Sequence, residues 1–154
     1  MQNGVKLMKW IEKSFDALTL EELYELLKER VLVFVVEQEC PYPEIDDYDQ
    51  QAIHLFLRNE EDALIAYCRI LPSGTKYEEA SIGRVLVTKD FRQKGFAHQL
   101  MDKAVNTVYK KWGNVPIKLQ AQSHLKQFYG HHGFDVVSNE YMDDGIPHVD
   151  MLKT

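Results

Sequence analysis

IGRVLVTKDFRQKGFAHQL, residues 82–100, begins with an apolar run at Val85, Leu86 and Val87 that has the pattern of a short buried strand, and it turns into a helix at Gly95 or Phe96. Gly95 lacks a β-carbon, so a ligand can approach its main chain closely, and Ala97 adds little bulk. A helix N-terminus presents unpaired N–H groups and about half a positive charge. Strand, small-residue loop and helix start together make an anion-binding arrangement suited to a phosphate or pyrophosphate. It is not a P-loop, which needs GxxxxGK followed by Ser or Thr. Nor is it a dinucleotide fingerprint, whose GxGxxG follows the strand directly; here a lone glycine stands eight residues after Val87.

Outward from that stretch, 154 residues with 45% hydrophobic and 27% charged content read as one globular domain, 1–154, with its core in 8–151. Residues 1–7 are readable as a leader, with Met8 an alternative start, and they contain no apolar h-region. The longest apolar run, Val31–Val36, is six residues, which argues against secretion and against a membrane partner. Cys40 and Cys68 have no metal-ligand spacing and are too few for a disulfide framework, so the expected compartment is the reducing cytoplasm. The net charge of −6, with no basic cluster longer than Lys110-Lys111, argues against nucleic acid and favours a cationic or amine-bearing partner.

Met8–Phe15 reads as a first strand. Thr19–Arg30 reads as a helix, because Thr19 and Glu22 form a capping box and Leu20, Leu23, Leu27 and Val31 share one face. It runs into the β-branched segment VLVFVVEQ. Gln51–Arg58 and Leu64–Leu71 pair as a hairpin, and Pro72-Ser73-Gly74-Thr75 is a turn. A helix over Phe96–Lys111 buries Leu100, Ala104 and Val108. Val115–Ala121 is a strand, Ser123 is placed to cap a short helix ending near His131, and Gly133 follows as its C′ glycine. Phe134–Ser138 and Pro147–Lys153 are the last strands, around a polar loop over 139–145.

Arg92-Gln93-Lys94-Gly95-Phe96-Ala97 resembles the Arg/Gln-x-x-Gly-x-Gly/Ala loop of the GNAT family of acetyl-CoA-dependent N-acetyltransferases. Gln127-Phe128-Tyr129-Gly130-His131-His132-Gly133-Phe134 resembles the same family's Phe-Tyr-x-x-x-Gly-Phe signature. Residues 33–55 and Asp144-Gly145-Ile146-Pro147-His148 are similar to its ElaA-like branch. The resemblance implies a single-domain α/β (α+β) fold: a mixed, mostly antiparallel twisted sheet with helices on both faces. It also implies acetyl-CoA as co-substrate, a small-molecule amine or a peptide or protein amine as acceptor, and is compatible with a homodimer.

By the same resemblance, main-chain groups of Leu86 and Val87 pair with the pantetheine arm, and the loop Arg92, Gln93, Lys94, Gly95, Phe96, Ala97 and His98 takes the phosphates, with Ser123 and Tyr129 also on the coenzyme. Arg92 and Lys94 read equally well as solvated loop charges. Tyr129 is the candidate general acid, since a phenol stays protonated at neutral pH and a departing thiolate accepts a proton. For the base, Glu37 comes first, because partial burial at the end of an apolar segment would raise its pKa; His54 and His148 are rivals. A strand histidine such as His54 is more often a satisfied core residue. Glu37, Glu39, Glu44, Asp46, Asp47 and Asp49 form either a solvated loop or an entrance for a cation. His124, His131 and His132 lack a Cys or carboxylate at metal-ligand spacing, so no metal is expected. Neither cysteine sits in a nucleophile constellation, which points to direct transfer. A non-catalytic acyl-CoA-binding module and an enzyme using another acyl group remain the alternatives.

Overall fold

The computed structural model describes residues 7–154, so the leader reading, Leu7 apart, lies outside the described residues. The strands are β1 (Lys9–Ser14), β2 (Ile53–Arg58), β3 (Leu64–Leu71), β4 (Ala80–Val87), β5 (Ile117–Gln122), β6 (Asp135–Val136), β7 (Tyr141–Asp143) and β8 (Ile146–Lys153). They form one sheet in the order β1-β2-β3-β4-β5-β8-β6, with β7 also paired to β8. Every pairing is antiparallel except β4 with β5.

The helices are α1 (Leu20–Val31), α2 (Phe96–Trp112) and α3 (Lys126–His131). Because side chains alternate across a strand, neighbouring residues feed opposite faces. Leu55 and Leu57 pack with Leu100, Met101, Ala104 and Val108 of α2, whereas Phe56, Tyr67 and Leu86 pack with Leu26 of α1 and with Val33 and Phe34. The sheet is therefore covered on both sides, as the resemblance implies.

The capping box of α1 is present: Glu22 N–H donates to Thr19 Oγ1 (3.0 Å) and Thr19 N–H to Glu22 Oε1 (2.8 Å). Its buried face differs from the expected one. Leu20 is 86% exposed and Val31 37%, while Leu26 and Arg30 are buried. A periodicity reading treats arginine as a surface residue, but Arg30 is neutralised beneath the helix by Glu44 (2.7 Å) and Asp49 (2.6 Å). The β-branched segment continues α1 as a π-helical turn, Leu32–Glu37.

Near the C-terminus, the strand expected over 134–138 shortens to β6, and the loop expected over 139–145 contains β7, which folds back on β8. Ser123 does not cap α3. It opens a 3₁₀ turn, Ser123–Leu125, and its Oγ is buried without a partner among the described residues.

Candidate active site

β4 and β5 touch only at Ala80 with Ile117 and Ser81 with Lys118. Beyond that point β4 stays on β3 up to Val87, while β5 stays on β8 up to Gln122. Two parallel strands that part this way leave one edge of β4 without a strand neighbour among the described residues. A bulge sharpens the parting, with Arg84 in the left-handed region at φ 52°. A cavity of about 760 Å³ occupies the wedge, lined by β4 from Ile82 to Val87 and by Gln120 and Gln122 of β5.

The phosphate-loop expectation depends on whether the amides at the start of α2 are free. Gly95, the N-cap, has φ 83°, a left-handed conformation that glycine adopts without strain, and no side chain caps the helix. The first helical bond is Gln99 N–H to Gly95 O at 3.3 Å. Among the described residues, the N–H groups of Gly95, Phe96, Ala97 and His98 have no hydrogen-bond acceptor, and all four residues line the cavity. Four unconsumed donors at the positive end of a 17-residue helix make an anion site built from main chain.

Leu86, Val87, Arg92, Gln93 and Tyr129 line the same cavity, whereas Lys94, Ser123 and His54 do not. At Val87 one edge group is already used. Thr88 N–H donates to Ile65 O (2.9 Å) toward β3, so the Val87 carbonyl points the other way, where Arg92 Nε donates to it at 3.0 Å. The Arg92 guanidinium also grips Glu37 through both carboxylate oxygens, at 2.7 and 2.9 Å. The two charges are thus paired with each other, not solvated separately.

That pair overturns the reason for choosing Glu37 as base. Its side chain is 49% exposed, and the Arg92 hydrogen bonds and charge hold the carboxyl below the usual carboxylate range, not above it. His54 is corrected on geometry. It is buried on the α1 side of the sheet, with Nε2 donating to Asp49 O (2.9 Å) and Nδ1 accepting from the Tyr67 hydroxyl (2.8 Å). Burial lowers its pKa, so it is a neutral core histidine with both nitrogens occupied.

His148 does line the cavity, near Asp143 and Asp144. Its Nδ1 lies 2.7 Å from Ile146 O, which can only accept, so Nδ1 donates there and Nε2 is the ring nitrogen left without a partner among the described residues. The ring stacks on Tyr141, with centroids 6.4 Å apart. Tyr129 is 8% exposed, and burial, with the nearby Cys68 thiol, pushes its phenol above the ordinary value. Cys40 also borders the cavity; burial and then Asp144 and Asp143 raise its thiol, which keeps it protonated and weakly nucleophilic.

The acidic stretch divides: Glu37, Glu39 and Asp47 are exposed, whereas the other three carboxylates are neither solvated nor free. Glu44, Asp46 and Asp49 are tied to Arg30, Arg69 and Arg84, with Arg69 to Asp46 at 2.7 Å and Arg84 to Glu44 at 2.7 Å. Burial alone would raise the Asp46 carboxyl, but Arg69 and Arg84 overcome it and hold it at about 2. The polar cavity residues missed by the sequence reading include Gln120, Gln122 and Asp143, with Gln38, Tyr42 and Arg84. Gln120 and Gln122 carried a usable signal, alternating with buried Ile117, Leu119 and Ala121 along β5.

Residues 16–154 match the model of the acetyltransferase (GNAT) domain. Protein ElaA of Escherichia coli is 39% identical over 148 residues, spanning 96% of this chain and 97% of that protein. Its crystal structure superimposes with a TM-score of 0.87 at 38% identity, covering 96% of this chain and 100% of the other. An acyl-CoA N-acyltransferase from Pseudomonas aeruginosa superimposes with a TM-score of 0.88 at 39% identity, covering 95% and 99%.

Proposed function

The chain belongs to the GNAT acetyltransferase family, in its ElaA-like branch, and from that membership we propose that it moves an acetyl group from acetyl-CoA to an amine by direct transfer in a ternary complex. The observation that carries this reading is the set of four free amides, Gly95 to His98, opening onto the same cavity as the unpaired edge of β4 and Tyr129. The amides, with Gln93 beside them, receive the coenzyme's pyrophosphate, and the pantetheine arm lies along Leu86 and Val87. Arg92 must then release the Val87 carbonyl, which brings its guanidinium within reach of the phosphates.

The amine lone pair attacks the thioester carbonyl carbon, and the carbon–sulfur bond breaks as the intermediate collapses. Tyr129 is the acid: its raised pKa keeps the phenol protonated over the working range, ready to donate to sulfur as charge develops there. An alkylamine with a pKa of about 10.4 arrives protonated at neutral pH and must lose that proton before it attacks. His148, whose residue lines the cavity, takes it on Nε2 directly or through one water. Glu37 serves as the counter-ion of Arg92.

The enzyme works in the cytoplasm on this reading, consistent with two unpaired cysteines; no described helix is long and apolar enough to cross a membrane. A homodimer belongs to the same proposal and is read by sedimentation. The test is a calorimetric titration with coenzyme A beside an amine-acceptor screen that follows free thiol release from acetyl-CoA. Heat together with thiol release from at least one acceptor is expected. Absence of heat from folded protein refutes the coenzyme site, and heat without turnover on any amine favours a binding module.

A further inference from the structure

Three imidazoles and a carboxylate crowd the head of α2, apart from the two groups that move protons in the proposed transfer. His98, in the first turn of the helix, has its Nδ1 2.8 Å from His132 Nε2, and His132 Nδ1 lies 3.1 Å from Asp102 Oδ1, one turn further along α2. The two histidines are 34 residues apart in sequence. They meet because α3 and the residue that closes it lay Phe128 and His132 against His98, with ring centroids 4.8 and 5.0 Å away. His98 borders the large cavity and also a neighbouring hollow walled by Asp102, Asn106, Tyr109, His131, His132 and Lys153.

The direction of this hydrogen-bond chain follows from what each atom can do. A carboxylate only accepts, so His132 Nδ1 donates to Asp102. The His132 side chain is 6% exposed, and burial outweighs Asp102 and lowers its pKa, so the ring is neutral and its Nε2 accepts from His98 Nδ1. A neutral His98 then presents a bare Nε2, which has no partner among the described residues. Such a nitrogen and a phosphate oxygen are both acceptors. They can meet only with a proton between them.

The free protein gives that proton little reason to be there. His98 sits at the positive end of α2. The titratable groups facing the histidine pair are Asp102 and Tyr109 of α2, His131 at the end of α3, and Lys153 of β8, which lies against Gly133. Asp102 is exposed, so water screens its charge. In the loop before the helix, Arg92 is engaged by Glu37, and Lys94 lies over Phe91. A pyrophosphate on the amides of Gly95 to His98 reverses this balance, because it brings negative charge within a turn of the imidazole.

We propose that the His98 imidazole is a phosphate ligand of the coenzyme, positioned by His132 and Asp102, so that coenzyme binding takes up one proton from solvent at His98 Nε2. This rests on the head of α2 being the coenzyme's phosphate site. No covalent bond breaks: the proton adds to Nε2, the new N–H donates to a phosphate oxygen, and Nδ1–H stays on His132. Because binding favours the charged ring, the gain in affinity is complete below the pKa of the free imidazole and is lost as pH rises through that of the bound one.

The test is a pH titration of the full chain by NMR in phosphate-free buffer, alone and with saturating coenzyme A or dephospho-coenzyme A. It follows the His98 ring nitrogens and the main-chain amides of residues 95–98. Dephospho-coenzyme A keeps the pyrophosphate and lacks the 3′-phosphate. In the free protein, neutral His98 is expected to carry its proton on Nδ1; a proton on Nε2 overturns the relay. With coenzyme, the protonation midpoint of His98 should rise by about 1 pH unit or more. A rise with both coenzymes assigns Nε2 to the pyrophosphate, and a rise with coenzyme A alone assigns it to the 3′-phosphate. A midpoint that neither moves, while the amides respond, overturns the ligand role and leaves the transferase reading standing; amides that do not respond overturn both. His132→Phe should lose the Nδ1–H form and weaken coenzyme A binding about threefold or more. His98→Gln should make dephospho-coenzyme A affinity level between about pH 6 and 9, where the unmodified chain loses about tenfold. An unchanged ring form in His132→Phe, or a pH dependence that survives His98→Gln, overturns the assignment.

Discussion

Two polar regions flank the sheet, and they are built on opposite principles. Under α1, Arg30, Arg69 and Arg84 are bound to Glu44, Asp46 and Asp49, so the acidic loop is pinned to the sheet from below. At the start of α2, four amide donors have no acceptor among the described residues. Both cost free energy to bury or to leave open, but only the second keeps its hydrogen-bonding capacity for something from outside. Satisfied polar groups hold the shape, and unsatisfied ones mark where a ligand goes.

That contrast predicts different failures. The largest is in stability. Arg30→Met leaves buried Glu44 with Arg84 alone and buried Asp49 with Arg69 alone, three acids against two arginines, and chemical denaturation should register a loss of about 3–5 kcal/mol. A loss under 1 kcal/mol would mean that water reaches the network and that the two regions differ less than described. Next comes Tyr129→Phe, which should lower kcat about 100-fold while calorimetry with coenzyme A gives an unchanged affinity. If affinity falls in step with rate, Tyr129 is a packing residue.

A smaller effect belongs to acid. The Asp46 carboxyl is held at about 2, below the roughly 3.9 of an unfolded chain, so its contribution is complete above the unfolded value and is lost as pH falls toward the folded one. Denaturation midpoints should drop through that window and stay level above about pH 5 on this account. The smallest effect is at the half-exposed Arg92–Glu37 pair. Glu37→Gln should change stability by less than about 1 kcal/mol, and it should leave thiol release running where His148→Gln slows it. The reverse pattern would return the base to Glu37.

The strand, loop and helix over 82–100 were legible because their signals are local: an apolar run, one glycine at a left-handed position and a helical period. The cap of α1 was legible for the same reason. Its buried face was not, because Arg30 is made buriable by acids 14 and 19 residues away. Glu37 was assigned the wrong direction of pKa shift through a partner 55 residues distant, Arg92. β7 escaped because three residues are too few to set up an alternation, and it exists by pairing with β8. His148 stood among the candidates, but its usable nitrogen is defined by the Ile146 carbonyl, a matter of backbone path that residue types do not carry.

The donors at the head of α2 belong to peptide groups, and inheritance acts on such a grip differently from one made of side chains. Nearly every amino-acid exchange at positions 96–98 reshapes the rim but still supplies an N–H; only proline deletes one. On the proposed reading, coenzyme recognition is therefore sheltered from most point mutations, whereas single exchanges at Tyr129 or His148 slow the chemistry. Lineages descending from this chain should retain the coenzyme long after they have abandoned the reaction.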